Sequence, residues 1–225
     1  MAGPNLIYIA DPMCSWCWGF SPVIDAIRAR FGAALPIRLV MGGLRPGTVK
    51  PMDENARRTT REHWEHVQEA SRQPFDFGFF EREGFVYDTE PAARAVVVAR
   101  RKSMETALDL LGDLHRAFYA QNRDVTDEAV LASVAATHGL ERAAFLEAFR
   151  SSEVRDETWQ DFALSQQAGI RGFPSLLAGM GEGNEYSVVT LGYQPAERIL
   201  PPLERWIEMI GRSGDGGGSA QPPLP

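Results

Sequence analysis

The chain carries the stretch Asp11-Pro12-Met13-Cys14-Ser15-Trp16-Cys17-Trp18-Gly19, which contains both of its cysteines. The residues before it, 6–10, form a short apolar, β-favouring run that predicts a buried strand. After it, apolar residues recur at helical spacing over 20–31. Cys14 is therefore expected where a strand gives way to the amino terminus of a helix. There the free N–H groups and the helix dipole favour a thiolate, whereas Cys17, one turn further on, is expected to be more buried and less reactive.

Two residues separate Cys14 from Cys17, a spacing that suits reversible redox chemistry better than structural cross-linking. A disulfide that closes so short a loop constrains the unfolded chain little, and a reducing cytosol would tend to open it. One thiolate can attack a substrate disulfide, and the second can resolve the mixed disulfide without diffusing. The sequence therefore predicts Cys14 as the catalytic nucleophile and Cys17 as the resolving thiol.

Two other interpretations of the cysteine pair stay open. Cys14 and Cys17 could join His63 and His66 in a Cys2His2 zinc site. However, the histidine spacing is shorter than usual for such sites, and 45 residues separate the two halves. These histidines fall on a long polar helix, where solvated side chains are ordinary, so we predict no metal. The pair could also be inert, in which case its strand–motif–helix context is a coincidence.

The composition is that of an ordinary globular chain of 225 residues, 44% hydrophobic and 24% charged, with a net charge of −7. No stretch approaches the ~18–20 apolar residues of a membrane span, and the amino terminus lacks the basic region of a secretory signal. No basic cluster offers a surface for nucleic acid. We therefore expect a cytoplasmic protein that binds neither membrane nor nucleic acid. Its arginine- and alanine-rich composition is typical of GC-rich bacterial genomes.

The order of predicted elements divides the chain into four parts. Residues 1–51 follow a β–α–β pattern, residues 52–167 are helical throughout, residues 168–211 follow a β–β–α pattern, and residues 212–225 form a Gly/Ser/Pro-rich flexible tail. The two β-containing parts are too small to stand alone, so they should complete one sheet of about four strands. The two ends of the helical block must then lie close together in space.

A second stretch, Gly169-Ile170-Arg171-Gly172-Phe173-Pro174-Ser175, places a proline just before a late strand. Together with the Cys-x-x-Cys motif, it makes the chain resemble the DsbA family of thiol-disulfide oxidoreductases. Within that family it is most similar to the cytosolic bacterial branch of FrnE-like and predicted protein-disulfide isomerases. The resemblance implies an α/β thioredoxin-like fold, βαβ plus ββα, with an inserted all-helical domain. It also implies a cis Phe173–Pro174 bond beside the cysteines, since proline tolerates cis and has no N–H to donate.

The resemblance further implies which side chains meet the substrate. Ser15, Trp16, Phe173 and Pro174 would form the substrate-binding surface, although Pro174 could also be a plain strand-start proline. The substrates would be protein or small-molecule thiols and disulfides, with glutathione as a candidate redox partner and no bound metal or nucleotide. The sequence assigns neither an oligomeric state nor a direction of electron flow.

Some residues depart from the family pattern and keep other functions open. Ser15-Trp16 stands where the periplasmic oxidases have Pro-His, so one stabilising charge is missing and a less oxidising couple is expected. Asp11 could accept a proton or only form the turn, and Trp16 and Trp18 could bind substrate or anchor the helix. One alternative function is a glutathione-dependent transferase or isomerase, although such relatives typically carry serine at the first cysteine position. The other is a non-catalytic cytosolic adaptor that uses the acidic insert as an interaction face.

Overall fold

The computed structural model describes residues 3–181 and 185–214. Its strands and helices follow the predicted order, with six helices between the second and third strands. They are β1 (Pro4–Ala10), α1 (Ser15–Phe31), β2 (Ile37–Met41), α2 (Glu54–Ser71), α3 (Glu90–Lys102), α4 (Met104–Tyr119), α5 (Glu128–Ala136), α6 (Arg142–Arg150), α7 (Ser152–Gln167), β3 (Ser175–Met180), β4 (Tyr186–Leu191) and α8 (Ala196–Gly214). None of these helices is both long and apolar enough to cross a membrane.

The four strands form one sheet in the order β2-β1-β3-β4. Central strand β1 runs parallel to β2, with Tyr8 opposite Leu39, and antiparallel to β3, with Tyr8 opposite Leu176. Strands β3 and β4 are antiparallel, with an irregularity between Leu176 and Leu177. The two ends of the chain therefore complete a single sheet. The predicted α/β thioredoxin-like fold with a helical insertion is confirmed.

The ends of several elements differ from the sequence prediction, among them those of β3 and α8. Strand β3, which the short apolar run predicts over 175–178, continues to Met180, because Gly179 still pairs with Tyr186 of β4 and with β1. Helix α8, which the sequence predicts over 196–210, continues to Gly214, so the predicted tail begins as helix. The sequence predicts a hairpin turn over 179–184. Its residues 182–184, and residues 215–225 of the tail, lie outside the described residues. The domain boundaries after residues 51, 167 and 211 stay predictions.

Helix α1 has a proline in its interior, and the insert compensates for it. Pro22 has no N–H to donate to the carbonyl of Trp18, four residues earlier. That carbonyl instead accepts Nε2 of Gln73 at 3.3 Å, and the Trp18 indole Nε1 donates to the carbonyl of Pro74 at 3.0 Å. The segment after α2 therefore docks on α1 through hydrogen bonds, one of which uses the carbonyl that the proline frees.

Trp64 of α2 lies at the centre of an aromatic cluster within the insert. Its ring centroid is 4.9 Å from those of Phe79, Phe80 and Tyr119. Phe118 of α4 lies against the same ring at 5.8 Å. The phenylalanine-rich segment that follows α2 thus joins α2 to α4. These aromatic side chains form an apolar core within the insert.

The outer edge of β2 is covered by two helices of the insert. Asp161 of α7 accepts the N–H of Met41 at 2.9 Å, and Arg100 of α3 donates to the carbonyl of Leu39 at 3.1 Å. The Arg100 and Asp161 side chains also bond to each other at 2.6 Å. These contacts satisfy main-chain groups that an edge strand would otherwise offer to another chain.

Replacing Asp161 with alanine should destabilise the protein, because Arg100 would lose its closest partner and the Met41 N–H its acceptor in a largely buried place. We expect the free energy of unfolding to fall by about 2–4 kcal/mol in urea denaturation. Asp156→Ala on the same helix is the matched control. Its exposed carboxylate should contribute less than about 0.5 kcal/mol. Equal stabilities of the two variants would contradict the role given to Asp161.

Candidate active site

Cys14 immediately precedes the first turn of α1, with φ −96° and ψ 115°. Its N–H donates to the carbonyl of Asp11 at 3.1 Å, and its carbonyl accepts the N–H of Trp18 at 3.1 Å. The thiol is thereby held at a helix amino terminus, where the first N–H groups have no intrahelical acceptor and favour an anion. The structure places Cys14 at the strand-to-helix junction, as expected from the sequence.

Cys17 lies one helical turn further along and is fully buried, whereas Cys14 is 5% exposed. Burial, followed by the neighbouring Cys14 thiol, raises the pKa of the Cys17 thiol well above its ordinary value. Both cysteines are free thiols. The pair is therefore asymmetric, with one thiol at the helix end and the other held protonated in the core.

The segment before β3 brings Phe173 and Pro174 beside the cysteines. The Phe173–Pro174 bond is cis, as expected, and the Phe173 carbonyl accepts a hydrogen bond from Cys14 Sγ at 3.5 Å. The Phe173 ring lies so close to Gly42 that a Cβ atom there would come within 2.3 Å of it. Pro174 is buried, and its carbonyl accepts the N–H of Gly192 at 2.7 Å. The cis segment is thus held on one side by the sheet and on the other by a glycine.

The predicted binding residues Ser15 and Trp16 are half-buried at the start of α1. The Trp16 ring lies 5.6 Å from the ring of Tyr193. Trp18, in contrast, is buried and hydrogen-bonded through its indole. Of the two tryptophans, Trp18 anchors the helix, and Trp16 is the one that is partly exposed.

Asp11 is a buried carboxyl group that organises the turn before Cys14. Its Oδ1 accepts the N–H of Met13 at 2.9 Å and its Oδ2 accepts the N–H of Leu44 at 2.7 Å. Burial raises its pKa to about 6, against the opposing effect of these two hydrogen bonds. Both oxygens are engaged by the main chain, so the structure favours the turn-forming role over that of a proton acceptor.

Two side chains of the insert, His115 and Tyr87, bond to the motif and a third, Tyr119, lies against Tyr87; the sequence reasoning missed all three. His115 of α4 contacts the carbonyl of Asp11 through Nε2 at 3.1 Å. The Tyr87 hydroxyl donates to the carbonyl of Met13 at 2.8 Å and lies 3.4 Å from the Tyr119 hydroxyl. Periodicity cannot separate such residues from ordinary core positions. The signal that could have found Tyr87 and Tyr119 is that the runs Tyr87-Asp88-Thr89-Glu90-Pro91 and Ala117-Phe118-Tyr119 also resemble the DsbA family.

The candidate zinc ligands are not brought together. His63 and His66 are exposed on α2, whereas both cysteines are buried. In residues 3–181 and 185–214, no group of three or more His, Cys, Asp or Glu side chains is placed to hold a metal ion.

The raised pKa of Asp11 should appear in the stability of the protein. The unfolded chain loses this proton near the ordinary pKa of 3.8, and the folded protein only near 6. Stability from the protonated carboxyl is therefore lost as pH rises through this window, by up to about 3 kcal/mol. We expect the difference in unfolding free energy between wild type and Asp11→Asn to shrink by that amount from about pH 4 to about pH 7 in urea denaturation. His115 titrates in both proteins and cancels in the difference, so a pH-independent difference would contradict the assignment.

Comparison with known proteins agrees with this geometry. The family model of the DSBA-like thioredoxin domain matches residues 6–199. A solved structure from Nitrosomonas europaea, provisionally assigned as a protein disulfide isomerase, is 38% identical, with 92% of this chain and 98% of that chain covered and a TM-score of 0.85. The cytosolic disulfide reductase DsbM from Pseudomonas aeruginosa is 25% identical, with 94% and 98% covered and a TM-score of 0.70.

A third similarity is to a protein with a different description. The ClpXP adapter protein SpxH of Bacillus subtilis (strain 168) is 23% identical over 223 residues, with 91% of this chain and 74% of that protein covered. The family match extends over most of the chain, including both cysteines and the cis Phe173–Pro174 segment. On the evidence of its fold, its motif geometry and these matches, the chain belongs to the DSBA-like thioredoxin domain family.

Proposed function

We propose that this protein is a thiol-disulfide oxidoreductase in which Cys14 is the nucleophile and Cys17 the resolving thiol. The observation that carries the proposal is the asymmetry of the pair: Cys14 lies at a helix amino terminus against the Phe173 carbonyl, and Cys17 is buried one turn away. Membership of the DSBA-like family and similarity to a disulfide reductase support the reaction class.

The reaction consists of two exchange steps. The Cys14 thiolate attacks one sulfur of a substrate disulfide, that S–S bond breaks, and the departing sulfur leaves as a thiolate that takes up a proton. Cys17 then loses its proton and attacks the Cys14 sulfur, which releases the second substrate sulfur. The products are two substrate thiols and a Cys14–Cys17 disulfide, and the reverse sequence oxidises a dithiol.

Ser15, Trp16, Phe173 and Pro174 form the proposed substrate surface. The Phe173 carbonyl accepts its hydrogen bond from the Cys14 thiol in the reduced protein. Once Cys14 is in a mixed disulfide it has no S–H to donate, so this carbonyl becomes available to an N–H of an extended substrate. Substrate attachment at sulfur and main-chain pairing at residue 173 would therefore occur together.

Glutathione is the proposed small-molecule redox partner, and the cytoplasm the proposed location. A structure of Pseudomonas aeruginosa DsbM with GSH, 24% identical to this chain, has the same fold with a TM-score of 0.68. The protein in that structure is described as cytosolic. Dithiol–disulfide exchange itself needs no metal and no bound nucleotide.

The redox equilibrium of the pair is the direct test of this function. In graded glutathione buffers we expect a reversible two-electron transition, reported by the fluorescence of Trp16 and Trp18 and checked by thiol trapping. Ser15-Trp16 puts no charge between the cysteines, so the potential should be more reducing than the roughly −120 mV of the strongest oxidases. A value near −270 mV would indicate a reductase and one near −180 mV an isomerase. The complete absence of a transition would refute the proposal.

The order of the two thiols can be tested by trapping. With oxidised glutathione, Cys17→Ala should accumulate a stable mixed disulfide at Cys14, because no second thiol can release it. Cys14→Ala should form at least about tenfold less, since Cys17 is buried and protonated. Intact-mass spectrometry measures both. Faster modification of Cys17 in the Cys14→Ala variant would reverse the assignment.

A second candidate function is that of an adaptor, which the similarity to SpxH favours. The exposed faces of the acidic insert would then bind a partner protein, and the thiols would be dispensable. Partner capture that is equal for wild type and Cys14→Ala, combined with no redox transition, would support the adaptor. Catalytic turnover that is lost in Cys14→Ala would support the enzyme.

A further inference from the structure

Tyr8 is a buried side chain on the central strand whose hydroxyl is unsatisfied. It is 1% exposed, and its oxygen has no hydrogen-bond partner among the described residues. A buried hydroxyl without a partner is unfavourable, whereas phenylalanine would need none at this position. The electrostatic neighbours of this hydroxyl are Cys17, then Cys14 and Asp25, and the Cys17 thiol is also within reach of a side-chain hydrogen bond. The tyrosine therefore places a hydroxyl beside the resolving thiol.

Tyr8 also lines a small chamber between α1 and α4, with a volume of about 30 Å³. A water molecule needs about 10–15 Å³ of such space and at least two polar partners. The other polar side chains in the wall are Ser21, Asp25 and His115. His115 uses one ring nitrogen on the Asp11 carbonyl and the other on the Ser21 hydroxyl. The Ser21 proton is shared between His115 and the Cys17 carbonyl, so Ser21 can only accept from a water molecule. The Tyr8 hydroxyl, the Ser21 oxygen and the Asp25 carboxylate are then the groups that can hold a water molecule there.

The chamber continues into a larger cleft of about 480 Å³, because Ser21, Asp25 and Gly112 belong to the walls of both. The Asp25 side chain is 73% exposed, which places this mouth in contact with solvent. Gly112 lies inside α4, where glycine is less favourable than alanine. No atom lies within 4 Å of the position of a Cβ there, so packing does not require glycine. What the glycine leaves is open space at the mouth of the chamber.

We propose that the Tyr8 hydroxyl, a water molecule in this chamber and the cleft beyond Gly112 form the path by which Cys17 releases its proton. When Cys17 attacks the Cys14–substrate disulfide, its proton moves to the Tyr8 oxygen while the Tyr8 hydroxyl proton moves to the water. The proton then passes to Asp25 or directly to solvent, and Tyr8 ends as a neutral phenol. The Cys14–substrate S–S bond breaks, the Cys14–Cys17 bond forms, and the leaving thiolate takes a proton from solvent.

The path is separate from the proposed substrate surface, since none of Ser15, Trp16, Phe173 or Pro174 lines the chamber or the cleft. It therefore stays open while a substrate covers the motif, which is the moment at which Cys17 must ionise. The inference rests on the proposed function, because it assigns a route to a proton that only the second exchange step releases.

The neighbouring titratable groups do not offer a better acceptor. Both Asp11 oxygens accept main-chain N–H groups. Burial lowers the pKa of His115 to about 4, so this side chain stays neutral at physiological pH. Asp25 faces Arg28 at 3.9 Å from its own helix, with Asp109 and Arg116 of α4 as the other charges near it. Its exposed carboxylate can receive a proton and pass it to solvent.

The test uses dithiobis(nitrobenzoate) as the substrate disulfide, because it releases one coloured thiol in each exchange step. In stopped flow, the rate of the first release depends on the reagent concentration and reports attack by Cys14. The rate of the second release does not depend on the reagent concentration and reports attack by Cys17. We expect Tyr8→Phe to slow the second release at least about tenfold near neutral pH, the low end of what positioned proton transfer contributes. The first release should change by less than about twofold.

Gly112→Leu tests the chamber without touching Tyr8 or the cysteines, because its side chain would fill the mouth. It should slow the second release as Tyr8→Phe does, whereas the matched control Gly112→Ala should leave it within about twofold of wild type. The slowing of the second release in both variants should diminish as pH rises, because hydroxide then deprotonates Cys17 directly. If the second release in Tyr8→Phe or Gly112→Leu is as fast as in wild type from neutral to alkaline pH, the proposed path is overturned. A wild-type protein that releases no second equivalent would instead refute the proposed function itself.

Discussion

The hydrogen bonds of Asp11 are the constraint on which the geometry of the motif depends. Its carboxylate accepts the N–H groups of Met13 and Leu44, and its carbonyl accepts the N–H of Cys14 and contacts His115. One residue thus joins the end of β1, the turn that carries Cys14, the loop after β2 and helix α4. Such a buried network is rigid when every member is satisfied. This rigidity fixes where the thiol sits relative to the helix amino terminus and to the Phe173 carbonyl.

The helical insert is part of the site rather than an appendage to the sheet. Tyr87 and His115 bond to main-chain carbonyls of the motif, and Gln73 occupies the carbonyl that Pro22 leaves free in α1. At the edge of the sheet, Arg100 and Asp161 bond to main-chain groups of β2 and cover it. Without the insert, the main-chain carbonyls of the motif would lose these side-chain partners, and the edge of β2 would be uncovered.

Local pattern was sufficient to predict the strands and most helices, because their apolar periodicity is regular and they are bounded by proline, glycine or capping residues. It also located Cys14 at the start of α1. The approach of Phe173 to Cys14 spans 159 positions of sequence and came only from the resemblance to a family. The contacts of Asp161 with Met41 and of His115 with Asp11 also join residues far apart in sequence, by 120 and 104 positions. Nothing local distinguishes an acidic or histidine side chain that will meet a main-chain group from one that will face solvent.

Tyr8 shows most sharply where local pattern loses information. In the sequence it is one more apolar position of a buried strand, and a phenylalanine would fit the pattern equally well. Only the structure shows that its hydroxyl is unsatisfied beside Cys17 and borders a water-sized chamber. A resolving thiol benefits from burial, which keeps it protonated and unreactive until a mixed disulfide forms next to it. The same burial would trap its proton, so a fold that buries Cys17 also needs a polar way out. In this protein that requirement explains the tyrosine in the core and the glycine in the middle of α4.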